Sequence, residues 1–511
     1  MKKIYILITL IAVLAISCKE DFIDLAPLDQ NSPVTFYQTE PQFRLAVTAA
    51  YVPLRNLMEV DYFTAEIRSD NTHYELAVSR SLVNVDREKV SDFTDEPTNT
   101  ILDQVYVSCY SGISKANIVI ERLSEADVPA AAKADIDGQA KFLRAFFYFK
   151  LVRYFGGVPL FLKEVKKADE AFLTRSTVDE VYNQIVADAK DAINQLAAPA
   201  KFPQSGHVTK GSATMLLAEI YMTQKKYAEA EALLNTLPAM GYSLNANYSD
   251  AFSITNKNSK ESLFEVQYLG GISASSQPSN FIYRMIPRSI NTTLITGILT
   301  NNSGNAGWNI PTKDLISKYE ANDKRLDASI GIAEGTYNSS GFMVFSANKS
   351  IINYTPAPGK VGVPYTKKYL HPHTAANNTD DNWPIYRYSD ALLLLAEAMN
   401  EQGKTPQALI PLNTVRTRAG LPASTQTNQA LLQDIIANER RVELAFENHR
   451  WHDLVRTGKA AAVMNAHGIQ LKQQNPNLTP DSYNVTSNKL IYPFPQAEIN
   501  LNPALTQNPG Y

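Results

Sequence analysis

Two stretches of this chain are copies of one another, and nothing else in it constrains the fold as strongly. LLAEIYMTQKKYAEAEALLNTL, from Leu216 to Leu237, aligns without a gap with LLAEAMNEQGKTPQALIPLNTV, from Leu394 to Val415. Leu-Leu-Ala-Glu opens both, and Leu-Asn-Thr recurs at 234–236 and 412–414. Each copy reads as two short helices. The break falls near Gln224–Lys226 in one and near Gln402–Thr405 in the other, where Gly403 stops a helix and Pro406 can start one. Small residues at Ala218 and Ala230, and at Ala396 and Ala408, let the paired helices approach closely, with large side chains around the crossing. That is the tetratricopeptide pattern. An isolated pair cannot bury its apolar face, so pairs of this kind must stack.

Two further pairs are interrupted by other sequence. Phe142 to Tyr154 is a strongly apolar helix with Ala145 at its waist. Its partner runs from Val178 to Leu196, opened by Thr177 with Glu180 three residues on, a capping box. An earlier pair is Phe43 to Leu57 with Val105 to Leu123. The expected fold is therefore mainly α: about four stacked tetratricopeptide-like helix pairs carrying large irregular insertions. From about 245 to 380 the chain turns rich in Asn, Ser, Thr, Gly and Tyr, with short β-like runs at Ser262–Tyr268 and Phe342–Phe345. A second loop-rich stretch, near 60–99, interrupts the first pair. Long loops inside a packed scaffold usually carry function.

The chain begins like an exported protein. Lys2 and Lys3 precede the apolar run Ile4–Ile16, which fits a signal-peptide core and is too short to span a membrane. Leu14-Ala-Ile-Ser17 then leads to Cys18, similar to a bacterial lipobox with its leucine one position early. We therefore read residues 1–17 as a lipoprotein signal peptide and Cys18 as the lipid attachment site, several acyl chains giving stable anchoring. With Cys18 acylated, Cys109 has no partner, so a disulfide framework is excluded. Cys109 reads as a small buried hydrophobe. The 511 residues carry a net charge of −3 and no long basic run, which argues against a nucleic-acid partner.

Several runs, in order over nearly the whole chain, resemble the SusD/RagB family. They are Arg144–Leu160 (RAFFYFKLVRYFGGVPL), Tyr386–Ala398 (YRYSDALLLLAEA), Asn413–Pro422 (NTVRTRAGLP), Glu439–Arg456 (ERRVELAFENHRWHDLVR), Tyr492–Glu498 and Gln507–Tyr511, with Cys18–Pro27 at the start. The resemblance implies a lipid-anchored protein of the cell outer membrane, facing outward, with residues 18–511 as one SusD-like domain. It also implies an activity without chemistry: oligosaccharide is bound at the surface and delivered to a SusC-type TonB-dependent transporter, for which the lipoprotein acts as a lid. The charged Lys19-Glu20-Asp21 is similar to surface-export tags of that group.

Most of the family runs read as structure. Arg387 and Asp390, and Arg441, Glu443, Glu447 and Arg450, are ion pairs and caps that fix helix packing; Trp451 lies on an apolar helix face, Trp383 is packing, and Gly156–Pro159 ends a helix. Glycan binding demands flat rings for the apolar sugar face and amide or charged partners for the hydroxyls. The two insertions supply them: Asn71, His73 and Tyr74 in the first, and Tyr283, Arg284, Trp308 and Asn309 in the second. No cofactor or metal is called for, although Asp380 and Asp381 offer carboxylates to a Ca²⁺ without EF-hand spacing. No HExxH, GxSxG or Walker sequence is present, so the chain is not read as an enzyme. A glycosidase needs only two carboxylates, and the family reading weighs against it. The competing reading is a surface scaffold or lid that binds peptide or a partner protein in place of free glycan.

Overall fold

Four helix pairs carry the structure, and they pair where the small residues fall. The computed structural model describes residues 36–75 and 82–511. The expected leader 1–17, the acylation site Cys18 and the Cys18–Pro27 run lie outside the described residues. Helix α1 (Glu40–Tyr62) is followed by the short α2 (Leu82–Asp92) and then by α3 (Thr100–Glu125), which packs on α1. Helix α4 (Ala130–Phe155) packs on α5 (Val178–Gln195), and α6 (Lys210–Thr223) on α7 (Tyr227–Leu234). The fourth pair is α8 (Tyr388–Glu401) and α9 (Thr405–Arg418). Neighbouring pairs stack in turn: α3 on α4, α5 on α6, and α8 on both α6 and α7. The two sequence copies are thus packed against each other, although the whole second insertion separates Leu234, the end of α7, from Tyr388, the start of α8.

The local signals read from the sequence act as expected. Ala218, Ala230, Ala396 and Ala408 are all fully buried. The Thr177 hydroxyl accepts from Glu180 N at 3.2 Å, while Glu180 Oε2 accepts from Thr177 N at 2.7 Å. Helix α4 stops at Gly156, whose φ of 73° an L side chain rarely adopts. Cys109 is a buried free thiol on α3, and burial pushes its pKa up.

The insertions hold the strands. β1 (Thr72–His73) belongs to the first; β2 (Ser262–Val266), β3 (Ile310–Pro311), β4 (Ile330–Tyr337), β5 (Met343–Ser350) and β6 (Val361–Thr366) belong to the second. β7 (Trp383–Arg387) runs directly into α8. β4 is the centre of a three-stranded antiparallel sheet between β5 and β6; β2 pairs with β7 and β1 with β3. The expected run Phe342–Phe345 extends into the full-length β5 because β4 offers it a partner. The first insertion holds more helix than its composition suggests. A π-helical turn, Phe63–Ile67, continues α1, and α2 forms because Val90 and the adjoining Phe93 are buried in the core. Three more helices close the molecule: α10 (Gln429–Glu443) against α8 and α9, then α11 (Arg450–Arg456) and α12 (Ala460–Gln474). Among the described residues no helix is long and apolar enough to cross a membrane.

Close approach of α3 and α4 gives a test of the packing. A Cβ built on Gly112 would lie 2.0 Å from Phe147 Cε2, and Phe147 is fully buried and has no room to swing. Overpacking of this kind costs about 1–3 kcal/mol, against about 1 kcal/mol that alanine gains over glycine in a helix. Gly112→Ala is expected to lose up to about 2 kcal/mol of stability net, read as a lower urea midpoint at unchanged slope. Gly304→Ala, with nothing within 4 Å of the new atom, is expected to stay within about 0.5 kcal/mol of the parent.

Candidate functional site

The two insertions meet at β1 and β3, with Thr72 opposite Pro311 and His73 opposite Ile310. A chain of buried charges holds β1 there. Glu66, on the π-helical turn, accepts hydrogen bonds from Asn71 Nδ2 at 2.9 Å, from Phe446 N at 2.9 Å and from Asn448 N at 3.1 Å. Arg441 Nε donates to Asn71 Oδ1 at 2.8 Å, and Arg450 grips both oxygens of Asp70 at 2.7 and 2.8 Å. Burial opposes a charge on Asp70, but the guanidiniums of Arg450 and Arg441 override it and bring the carboxyl down to about 2. The arginines of α10 and α11 thus clamp the segment just before β1.

Beyond that clamp lies a cavity of about 250 Å³. His73, Tyr74 and Glu75 form one wall, Ile310–Asp314 and Tyr337 another, and His467, Gln470 and Gln474 of α12 a third. Tyr337, at the end of β4, is 43% exposed and offers ring surface to the opening. Its hydroxyl donates to Glu75 Oε1 at 2.9 Å. Glu75 Oε2 in turn accepts from Arg288 N at 2.8 Å, so the carboxylate ties β1's end to the second insertion. Gly307 leaves room for it: with φ of 75°, a Cβ there would lie 2.7 Å from Glu75 Oε2.

The residues singled out in the sequence come together, largely behind this cavity rather than in it. His73 and Tyr74 line it. Asn71 is buried between Glu66 and Arg441. Trp308 is only 2% exposed: Phe63 meets it edge-on with centroids 5.0 Å apart, Tyr74 lies at 6.4 Å, and the Arg87 guanidinium sits 5.4 Å from its ring. The expected free stacking face on Trp308 is therefore covered, because an indole among two rings and a cation gains more from burial than from solvent. Asn309 is fully buried, with φ of 56°, and its carbonyl accepts from Thr366. Tyr283 hydrogen-bonds His373 Nε2 at 2.6 Å, and Arg284 forms an ion pair with Glu59. Asp380 pairs with Lys257, and Asp381 with His371. Among the described residues no cluster of three or more His, Cys, Asp or Glu is placed to hold a metal ion. Sequence reasoning missed Tyr337, Glu75, His467 and Gln470. Only Glu75, next to the Asn71–Tyr74 run, carried a local signal.

The comparisons with known proteins agree with this architecture. Residues 222–511 match a family described as "SusD family", and residues 21–222 match one described as "Starch-binding associating with outer membrane". SusD-like protein P2 of Formosa agariphila is 26% identical over 543 aligned residues, covering 100% of both chains. A solved laminarin-binding SusD-like protein superposes with a TM-score of 0.74 at 26% identity, covering 93% of this chain and 100% of its own. Surface glycan-binding protein A of Bacteroides thetaiotaomicron, in complex with laminarihexaose, gives a TM-score of 0.71 at 26% identity over 92% of this chain and 100% of that one.

Glu66 makes the clamp sensitive to pH. Burial raises its carboxyl from 4.5 to about 7, and the donors from Asn71, Phe446 and Asn448 offset only part of that. The folded state therefore holds this proton more tightly than the unfolded chain. The stability it contributes is full below pH 4.5 and is lost as pH rises through 7, by about 3 kcal/mol at 1.36 kcal/mol per unit. His467, lowered to about 4 by burial and by His73, acts in the opposite sense over pH 4–6.5, so the comparison must be with a variant. The stability of the parent relative to Glu66→Gln, from urea melts, is expected to fall by about 3 kcal/mol between pH 4.5 and 8; a constant difference would refute this assignment.

Proposed function

This chain belongs to the SusD family, and from that premise we propose that it binds oligosaccharide at the outer membrane and delivers it to a SusC-type TonB-dependent transporter without altering it. In this reading the mature chain, 18–511, is one functional unit anchored through lipid on Cys18 and facing the exterior. Tyr337, His73 and Tyr74 contact the sugar at the cavity. Asn71, Trp308, Asn309, Tyr283 and Arg284 hold those groups in place from behind.

The observation that carries the reading is the likeness, over 92% of the chain, to a relative solved with laminarihexaose bound. The site supplies what a sugar needs. The exposed Tyr337 ring can stack on a pyranose C–H face, and Glu75, His73, Gln470 and Gln474 surround it with acceptors and amides for the hydroxyls. The site sits on loop and strand ends backed by rigid helices, the usual arrangement for recognition.

Calorimetric titration of the purified protein with laminarihexaose, maltohexaose and cellohexaose tests it. At least one is expected to bind and to be recovered intact, with no new reducing ends. Tyr337→Ala is expected to weaken that binding about tenfold, equivalent to about 1.4 kcal/mol. Release of new reducing ends, or binding of peptides and of none of these glycans, would overturn the proposal.

A further inference from the structure

The 250 Å³ cavity does not end at α12. A second cavity, of about 400 Å³, opens between α10, α11 and α12, and Asp314, His467 and Gln470 line both. Together they are in the size range of small-molecule sites, roughly 300–1,000 Å³. The second cavity is densely charged, yet its charges are already matched. Arg450 holds Asp70; Arg441 holds Asp70 at 2.9 Å and Asp314 at 2.7 Å. Arg456 holds Glu397 at 2.5 and 2.8 Å and Asp453 at 2.6 Å, while Arg440 holds Asp390 at 2.6 Å and Asp453 at 3.1 Å. Lys318 pairs with Asp314 and Lys459 with Asp434. An anion entering here would have to displace a carboxylate from a guanidinium, and a cation would have to do the reverse.

Apart from the exposed Lys313 on the wall of the first cavity, the groups left for a ligand are neutral. His467 stands at the junction, 7% exposed, and its Nε2 has no hydrogen-bond partner among the described residues. His73, 5% exposed, differs: its Nε2 faces Asp92 Oδ1 at 3.6 Å. Its Nδ1–H donates to the Tyr74 carbonyl oxygen at 2.8 Å, which holds the ring in place and leaves His467 as the unpartnered imidazole of the two. Buried polar atoms are rarely left unpaired without a reason. Exposed Gln470 and Gln474 add amides that both donate and accept. Burial, the largest influence on it, keeps the His467 ring neutral at ordinary pH. Hydroxyl groups, each donor and acceptor at once, match this set; carboxylates and sulfates do not.

We propose that the two cavities form one continuous polyol-binding subsite centred on His467, which takes successive pyranose units of a neutral oligosaccharide and excludes uronic-acid or sulfated ones. This deepens the glycan-binding reading and rests on it. The test titrates the purified full chain with laminarihexaose, maltohexaose and cellohexaose, and with oligogalacturonate as the charged probe. The neutral hexasaccharide that binds the parent is expected to lose about tenfold in affinity with His467→Ala and with Gln470→Ala, and oligogalacturonate to show no binding. Gln470 is an exposed helix residue, so its variant keeps the fold whatever His467→Ala does. Unchanged affinity in both variants, or oligogalacturonate binding as tightly as the neutral sugars, overturns the subsite and leaves the glycan-binding reading standing. Failure of every neutral hexasaccharide to bind the parent overturns that reading, and the subsite with it.

Discussion

Arg387 is the point at which the molecule closes on itself. Its guanidinium is buried, and it donates to Glu447 at 2.6 and 2.8 Å, to Glu443 at 3.0 Å and to Glu261 at 2.9 Å. Those partners lie 60, 56 and 126 residues away along the chain. Arg418 and Arg325 share Glu443, and Lys368 shares Glu447. Burial works against the charge on Glu443, and Arg418, Arg387 and Arg325 still hold its carboxyl well below the usual carboxylate range. One buried network therefore joins the end of β7, the approach to β2, the end of α10 and the loop after it. Removing a single partner from such a network typically costs about 3–5 kcal/mol, because a buried charge is left uncompensated.

What this junction secures is the return of the chain after the long second insertion. The two sequence copies pack on each other as neighbouring pairs, but the insertion separates them in the chain. β2 leaves the third pair and β7 enters the fourth, and the two strands pair with Ser262 opposite Arg387. The ion network sits at that register, so it fixes where α8 docks. It also fixes the loop after α10, whose Phe446 and Asn448 take φ values of 71° and 67° and aim their N–H groups at Glu66. From Glu66 the constraint passes to Asn71 and β1. The position of His73 and Tyr74 is set through this chain of charges and, directly, by Asp92, whose carboxylate accepts from the Tyr74 hydroxyl at 2.8 Å and lies 3.6 Å from His73 Nε2.

This explains what was legible in the sequence and what was not. The scaffold was legible because its signals are local: small residues at helix crossings, Gly403 and Pro406 at a break, and Thr177 with Glu180 at a cap. Each acts within a few residues and keeps its spacing. The ion-pair character of Arg387, Glu443, Glu447, Arg441 and Arg450 was also legible, since charges on apolar helices must be paired. Their partners were not, because the pairing spans tens to hundreds of residues. The site was legible only as a region. Asn71, His73, Tyr74, Trp308 and Asn309 do converge, but an aromatic or amide in a loop looks the same whether it faces the opening or lies beneath it. Burial decided that, and it depends on Phe63 and Arg87, both brought in from elsewhere. Gln470 was invisible for the opposite reason: on α12 it reads as an ordinary solvated glutamine, and only the placement of α12 beside β1 gives it a cavity.

The same physics divides the molecule into a part that must stay and a part that is free to vary. At the helix crossings the space is already filled: Ala218, Ala230, Ala396 and Ala408 have no exposed surface, and Gly112 admits no added atom beside Phe147. The crossings themselves are closed to a ligand. Recognition is displaced to the insertions and to the closing helices beside them, and the insertion strands end in loops that cost little to alter once the register at β1–β3 and β2–β7 is held. The buried charges are what make that division workable. They are directional and tolerate only one geometry, so they pin the roots of the insertions to the scaffold while leaving the tips, Tyr337 among them, open to whatever the ligand demands.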